Sequence, residues 1–251
     1  MNPKQQDSLD ATLRKLHAGG LALQQLPNGL FFQLVPRGRF KPHSVLFITS
    51  HDRPLASYQA ELLLLSQHFN LVVVDVEQAL APNNTAVSCI QAGLALLADQ
   101  QQKQLWPTTP LSLVVHGSSS YASASFGHEC KTLSSILVVE PTPPPPKQPR
   151  KVTDYLPPAG VVAPYTVPTY ILSTLADQAS AEQDVATASV ALLMALDKVI
   201  SPDLCIVGSA AVVGGLGDNM VEFLLAPNPL DVITGTPLEP EEEQAASRAK
   251  S

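Results

Sequence analysis

LSLVVHGSSSYASASFG, residues 111–127, opens as a largely apolar run of strand length, passes through a cluster of small residues at Gly117 to Ser120, and continues as a helix-like stretch. A run that is apolar at consecutive positions, as Leu113 to Val115 are, suits a strand buried on both faces, because an edge or half-exposed strand would alternate. Small residues directly after such a strand let the chain reverse sharply. The segment therefore predicts a strand, a tight turn and a helix in sequence.

The same rhythm extends on both sides. Upstream lie the apolar run SVLFITS (44–50), the helix-like SYQAELLLLSQHF (57–69), the run NLVVVDV (70–76) and the helix-like TAVSCIQAGLALLADQQ (85–101). Downstream lie SSILVVEP (134–141), TYILSTL (169–175), the helical SAEQDVATASVALLMALDKVI (180–200), the strand DLCIVGSA (203–210) and a closing helix near NMVEFLLA (219–226). Strands alternating with helices imply crossover connections and a mostly parallel sheet covered on both sides. Before the alternation begins, residues 8–18 read as a short helix ended by Gly19 and Gly20. LALQQLPNGLFFQLVPRG (21–38) then reads as two strands joined at Pro27-Asn28-Gly29, where Asn-Gly supplies the positive φ of a hairpin turn. The expected fold class is a three-layer α/β sandwich with an N-terminal antiparallel hairpin, in one domain over residues 1–236.

Two segments break the pattern. PTPPPPKQPRKVTDYLPPAGVVAPYTVP (141–168) is too dense in proline for a helix or a central strand, and reads as a semi-rigid surface excursion. A second reading is a protein partner: Pro146, Pro149 and Lys151 match PxxPxK, a pattern bound by SH3-type grooves. The tail 237–251, with Glu241, Glu242 and Glu243, has little to bury and is expected to be disordered.

Composition narrows the function classes. A formal net charge of -7 over 251 residues opposes a nucleic-acid partner, which would call for clustered Lys and Arg. No apolar run is long enough to span a membrane, and the N-terminus lacks the apolar core of a secretory signal, so the expected location is cytoplasmic. Cys89, Cys130 and Cys205 are far apart in apolar surroundings and read as reduced buried thiols. No metal site and no cofactor are expected. Gly208, Gly214, Gly215 and Gly217 lack the position and the partner acid of a dinucleotide fingerprint.

Residues 116–120, His-Gly-Ser-Ser-Ser, resemble the nucleophile elbow of the α/β-hydrolase family, in which a strand turns through G-x-S-x-G into a helix. The resemblance implies Ser118 as nucleophile, with His116 standing where the family has glycine. VPTYILSTLADQAS (167–180) resembles the family's late strand and acid loop, implying Asp177 as the triad acid. VLFITSHDRPLASY (45–58) is similar to the stretch that donates an oxyanion-hole amide, which places Ser50 and His51, together with Ser119 on the elbow, around the pocket. The loop expected to carry the histidine, within SPDLCIVGSAAVVGG (201–215), has Ala210 and Ala211 instead, and no histidine follows His128. A serine hydroxyl needs a base, so two readings stand. One is a hydrolase-like protein without Ser-His-Asp chemistry, used for binding. The other is a serine esterase or thioesterase for a small acyl or ester ligand, using Ser118 with an unconventional base. Helix capping is an alternative role for both Ser118 and Asp177.

Overall fold

The computed structural model describes residues 3–26, 30–35, 39–79, 85–127, 133–146, 148–156, 167–174, 179–197, 207–212 and 216–226. Eight strands form one sheet: β1 (Leu23–Gln25), β2 (Leu30–Gln33), β3 (Ser44–Ile48), β4 (Asn70–Val74), β5 (Leu111–His116), β6 (Leu133–Val139), β7 (Thr169–Thr174) and β8 (Val207–Val212). Their spatial order is β1-β2-β4-β3-β5-β6-β7-β8. β1 pairs antiparallel with β2, and β2 with β4, whereas every pairing from β4 through β8 is parallel.

The two-residue period of the strands sorts their side chains into two cores. Leu46, Ile48, Val72, Val74, Leu113, Val115, Ile136 and Val138 face one side. Helices α4 (Ala86–Gln102) and α5 (Ala179–Asp197) cover it through Ile90, Leu97, Leu192 and Leu196. Val45, Phe47, Leu71, Val73, Val114, Leu137 and Val139 face the other side. There α1 (Pro3–Ala18), α2 (Gln59–His68) and α6 (Leu216–Leu225) contribute Leu16, Leu62, Leu65, Met220 and Phe223. The short α3 (Val76–Ala79) follows β4. Because both faces are covered, β3, β4 and β5 are buried at every residue, which is why their sequences are apolar at most consecutive positions.

The α4 N-terminus is fixed by a reciprocal cap. Thr85 Oγ1 accepts from the Ser88 amide at 3.2 Å, and Ser88 Oγ accepts from the Thr85 amide at 2.9 Å. Thr85→Ala removes one half of this cap and is expected to cost about 1 kcal/mol. A thermal melt should show a fall of about 2–4 °C, the scale for a chain of this size.

Several boundaries differ from the sequence reading. The first helix starts at Pro3 rather than at residue 8. The helix expected after the small-residue turn is instead a 3₁₀ helix over Gly117–Ser125. Serine side chains account for part of this, since Ser123 Oγ donates to the Ser120 carbonyl at 2.6 Å and competes for a helical acceptor. The last strand ends at Val212, so Ala210 and Ala211 lie within it, opposite Leu172 and Ser173, and not in the following loop. The hairpin turn at 27–29, His128, Cys130, Cys205, Asp177 and the tail 237–251 lie outside the described residues. Cys89 is a buried free thiol, pushed up to about 11 by burial.

The proline-rich segment is anchored, not a simple excursion. A 3₁₀ turn at Val152–Tyr155 buries Val152 and Tyr155 in the α4/α5 core. Tyr155 Oη donates to the Pro149 carbonyl at 2.9 Å, and Ser125 Oγ donates to the Tyr155 carbonyl at 2.8 Å. The Gln148 amide also bonds the Pro145 carbonyl at 2.9 Å, closing a turn that runs into the PxxPxK stretch. A polyproline helix has no internal hydrogen bonds, so this turn departs from the conformation an SH3-type groove takes. No described helix is long and apolar enough to cross a membrane.

Candidate active site

Parallel strands place their carboxyl ends along one edge of the sheet, and the loops leaving β3 and β5 meet there. Thr49 to Arg53 follow β3, and Gly117 to Ser120 follow β5. The two loops interlock through hydroxyls. Ser50 Oγ lies 3.0 Å from Ser118 Oγ and accepts from the Ser118 amide at 3.0 Å. It also donates to Asp52 Oδ1. The His51 amide donates to Ser118 Oγ at 3.2 Å. Ser119 Oγ turns away and donates to the Thr49 carbonyl at 2.9 Å.

Ser50 is fully buried and Ser118 nearly so, with 7% of its surface exposed. Of the five candidates, the structure brings Ser50, His51 and Ser118 together, the second through its amide rather than its exposed ring. Ser119 is buried beside them on a different bond.

Beneath the elbow lies a cluster that the sequence did not disclose. His116, 2% exposed, sits edge-on to Tyr58 with ring centroids 5.0 Å apart. Its Nε2 is 3.1 Å from an Arg53 guanidinium nitrogen, and its Nδ1 is 3.3 Å from Tyr58 Oη. A guanidinium can only donate, so Nε2 is the acceptor and the imidazole is neutral, with its proton on Nδ1 aimed at Tyr58. Burial pushes His116 down to about 3; the Arg53 charge works in the same direction, and Asp52 opposes both. Glu140 Oε2 lies 3.7 Å from Arg53 and 3.8 Å from His116. Tyr58 Oη in turn accepts the Ser50 amide at 2.9 Å, joining this cluster to the hydroxyl interlock above it. Burial likewise raises the Tyr58 hydroxyl well above the ordinary range.

No family model matches the sequence, and no curated protein sequence matches it. Solved structures do. The Francisella virulence factor BioJ aligns over 92% of this chain and 89% of its own, with 11% identity and a TM-score of 0.54. A carboxylesterase from Mesorhizobium loti aligns over 82% of this chain and 99% of its own, with 10% identity and a TM-score of 0.54. The esterase LipW from Mycobacterium marinum covers 82% and 78%, with 13% identity and a TM-score of 0.52. The fold is that of the α/β-hydrolases.

In an α/β-hydrolase the nucleophile sits on a sharp, strained turn straight after its strand. The residue with that backbone here is Gly117, at φ +55°, one place before Ser118. The described non-glycine residues with positive φ are Gln104 and Glu140, so Ser118 does not have the left-handed backbone. A Cβ on Gly117 would fall 2.4 Å from Ser50 Oγ and 2.8 Å from Ser50 Cβ, so the space a side chain would take at this corner is filled.

The α/β-hydrolase oxyanion hole uses an amide just after the nucleophile and one from the loop after the third strand. The amides of Ser118 and His51 stand in those places, and both are already bonded, to Ser50 Oγ and Ser118 Oγ. Among the described residues no imidazole nitrogen is hydrogen-bonded to Ser118 Oγ. His43 bonds Ser112 Oγ at 2.9 Å at the opposite end of β5, and burial lowers its pKa. His17 and His68 close α1 and α2. Among the described residues, the carboxylate hydrogen-bonded to Ser118 Oγ is that of Asp52, at 3.4 Å.

Sequence spacing does not fix the register of this turn. Three consecutive serines follow Gly117, and which residue takes the strained position depends on where β5 stops. The roles of Tyr58 and Glu140 had no motif to reveal them.

Proposed function

We propose that this chain is a binding protein on an α/β-hydrolase scaffold, without Ser-His-Asp catalysis. The observation that carries the reading is Gly117. It holds the strained corner where a hydrolase presents its nucleophile, and the Ser50 hydroxyl occupies the space of the missing side chain. The adjacent imidazole, His116, supports the same reading, since Arg53 takes up its lone pair and its remaining proton points at Tyr58. A base must reach the hydroxyl it deprotonates within hydrogen-bond distance or through one water. The reading also keeps the chain in the cytoplasm, in line with the reduced thiol of Cys89.

A second reading, a serine esterase or thioesterase acting through Ser118 with Asp177 as acid, is favoured by the Asp52 contact and by the esterases among the structural neighbours. Asp52, however, also holds Ser50, and a carboxylate is a weak base towards an alcohol.

A fluorophosphonate probe separates the two. The expected result is no covalent labelling of the native chain at neutral pH, indistinguishable from Ser118→Ala. Stoichiometric labelling that disappears in Ser118→Ala would establish the esterase reading and end the binding one.

A further inference from the structure

Between the proline-rich segment, the 3₁₀ helix of the elbow and α5 lies an open groove of about 330 Å³. Tyr121, Val152, Met194 and Ala195 make its apolar lining, and Arg150 and Lys151 stand at its edge. This volume is at the lower end of the range for small-molecule sites. Met194 is 60% exposed, and Val190, one helical turn before it, is 52% exposed. The described chain has five large hydrophobic residues that are exposed, and these two share one face of α5 beside the groove. The two side chains extend the apolar surface of the groove along α5.

The charges give the groove a sign. The molecule carries a net charge of -7, yet the groove presents two cations side by side. Neither is in an ion pair among the described residues. Asp154, exposed in the next turn, is one carboxylate set against them. Arg150 also lies near enough to Tyr121 for its charge to oppose the rise that burial gives that hydroxyl.

We infer that this groove binds a carboxylate-bearing aliphatic chain, its tail along Val152, Ala195 and Met194 and its head group between Arg150 and Lys151. An uncharged chain would lose the charge-assisted contacts, and a cationic one would be repelled. The inference rests on reading the chain as a binder, but it concerns a groove formed by other residues than Ser50, Gly117 and Ser118. Labelling by fluorophosphonate and occupancy of the groove can therefore fail independently.

The three methionines, Met1, Met194 and Met220, provide the readout. Met194 lines the groove, whereas Met220 is fully buried on the opposite face of the sheet. In the full chain labelled with [methyl-¹³C]methionine, titration with decanoate should shift the Met194 methyl saturably and leave Met220 in place. Decanol should bind more weakly. Arg150→Glu combined with Lys151→Glu should weaken decanoate at least about tenfold, the scale of losing charge-assisted bonds, without moving the melting temperature. Three outcomes overturn the inference. One is a Met194 signal that does not respond, or that responds equally after charge reversal. Another is a Met194 signal that moves with protein concentration alone, which would make a second copy the occupant. The last is a Met194 signal that moves without ligand when Glu241, Glu242 and Glu243 become Gln, which would assign the groove to the acidic tail.

Discussion

Gly117→Ala is expected to be the most damaging single substitution at the elbow, lowering stability by on the order of 2–6 kcal/mol. Two costs combine. An alanine at φ +55° adopts a backbone that L side chains avoid, which costs about 1–3 kcal/mol. Its Cβ would also fall 2.4 Å from Ser50 Oγ, and overpacking of this kind costs about 1–3 kcal/mol more. Ser50 cannot simply rotate away, because its hydroxyl is engaged by Asp52, Ser118 Oγ and the Ser118 amide. Against the ~5–15 kcal/mol that holds a domain folded, the loss should be plain in a urea melt. Ser50→Gly in the same chain should recover the packing part and leave the backbone part. A double-mutant cycle would therefore show a coupling of at least about 1 kcal/mol between residues 50 and 117. Additive effects would mean that the contact with Ser50 does not constrain the corner.

Acid should destabilise the native chain more steeply than a variant lacking the His116 imidazole. An unfolded histidine takes up a proton below about pH 6.5, whereas His116 in the fold stays neutral down to about 3. Between those limits the unfolded chain binds one more proton than the folded one. Stability therefore falls as pH falls, by up to about 1.4 kcal/mol per pH unit, and the contribution is flat well above pH 6.5. The groups facing His116 are Arg53 and Asp52 from the loop after β3, Tyr58 from the turn before α2, and Glu140 at the end of β6. Denaturation midpoints of the native chain and of His116→Gln, measured from pH 7.5 to 4, should converge on acidification, because glutamine retains a donor and an acceptor but does not titrate. Parallel profiles would show that the imidazole titrates normally and that Arg53 does not occupy its lone pair.

How much of this was legible in the sequence follows from where the determining forces lie. Strands β3 to β6 were readable because burial on both faces demands apolar side chains at consecutive positions, and Val45 to Ile48 or Leu71 to Val74 admit few other interpretations. Local turn chemistry was less reliable. The elbow helix proved 3₁₀ because serine hydroxyls such as Ser123 bond nearby carbonyls, a choice that propensity alone does not announce. The site was legible only as a neighbourhood. Ser50, His51 and Ser118 do converge, but the identity of the strained residue depends on the exact end of β5 and on a hydroxyl 67 positions away in the chain, from Ser50 to Gly117. Tyr58 and Glu140 reach His116 only through tertiary packing, and nothing in their local sequence marks them. The proline-rich segment misled for the opposite reason. Its prolines exclude regular structure, but Val152 and Tyr155 inside it are ordinary core residues.

The meeting of residues 50 and 117 also ties the composition of one loop to that of the other. A serine placed at 117 would meet the hydroxyl already lodged there, and a glycine placed at 50 would leave the Ser118 amide and Asp52 without their shared partner. Neither position can change alone without cost, so the corner admits side chains only in matched pairs.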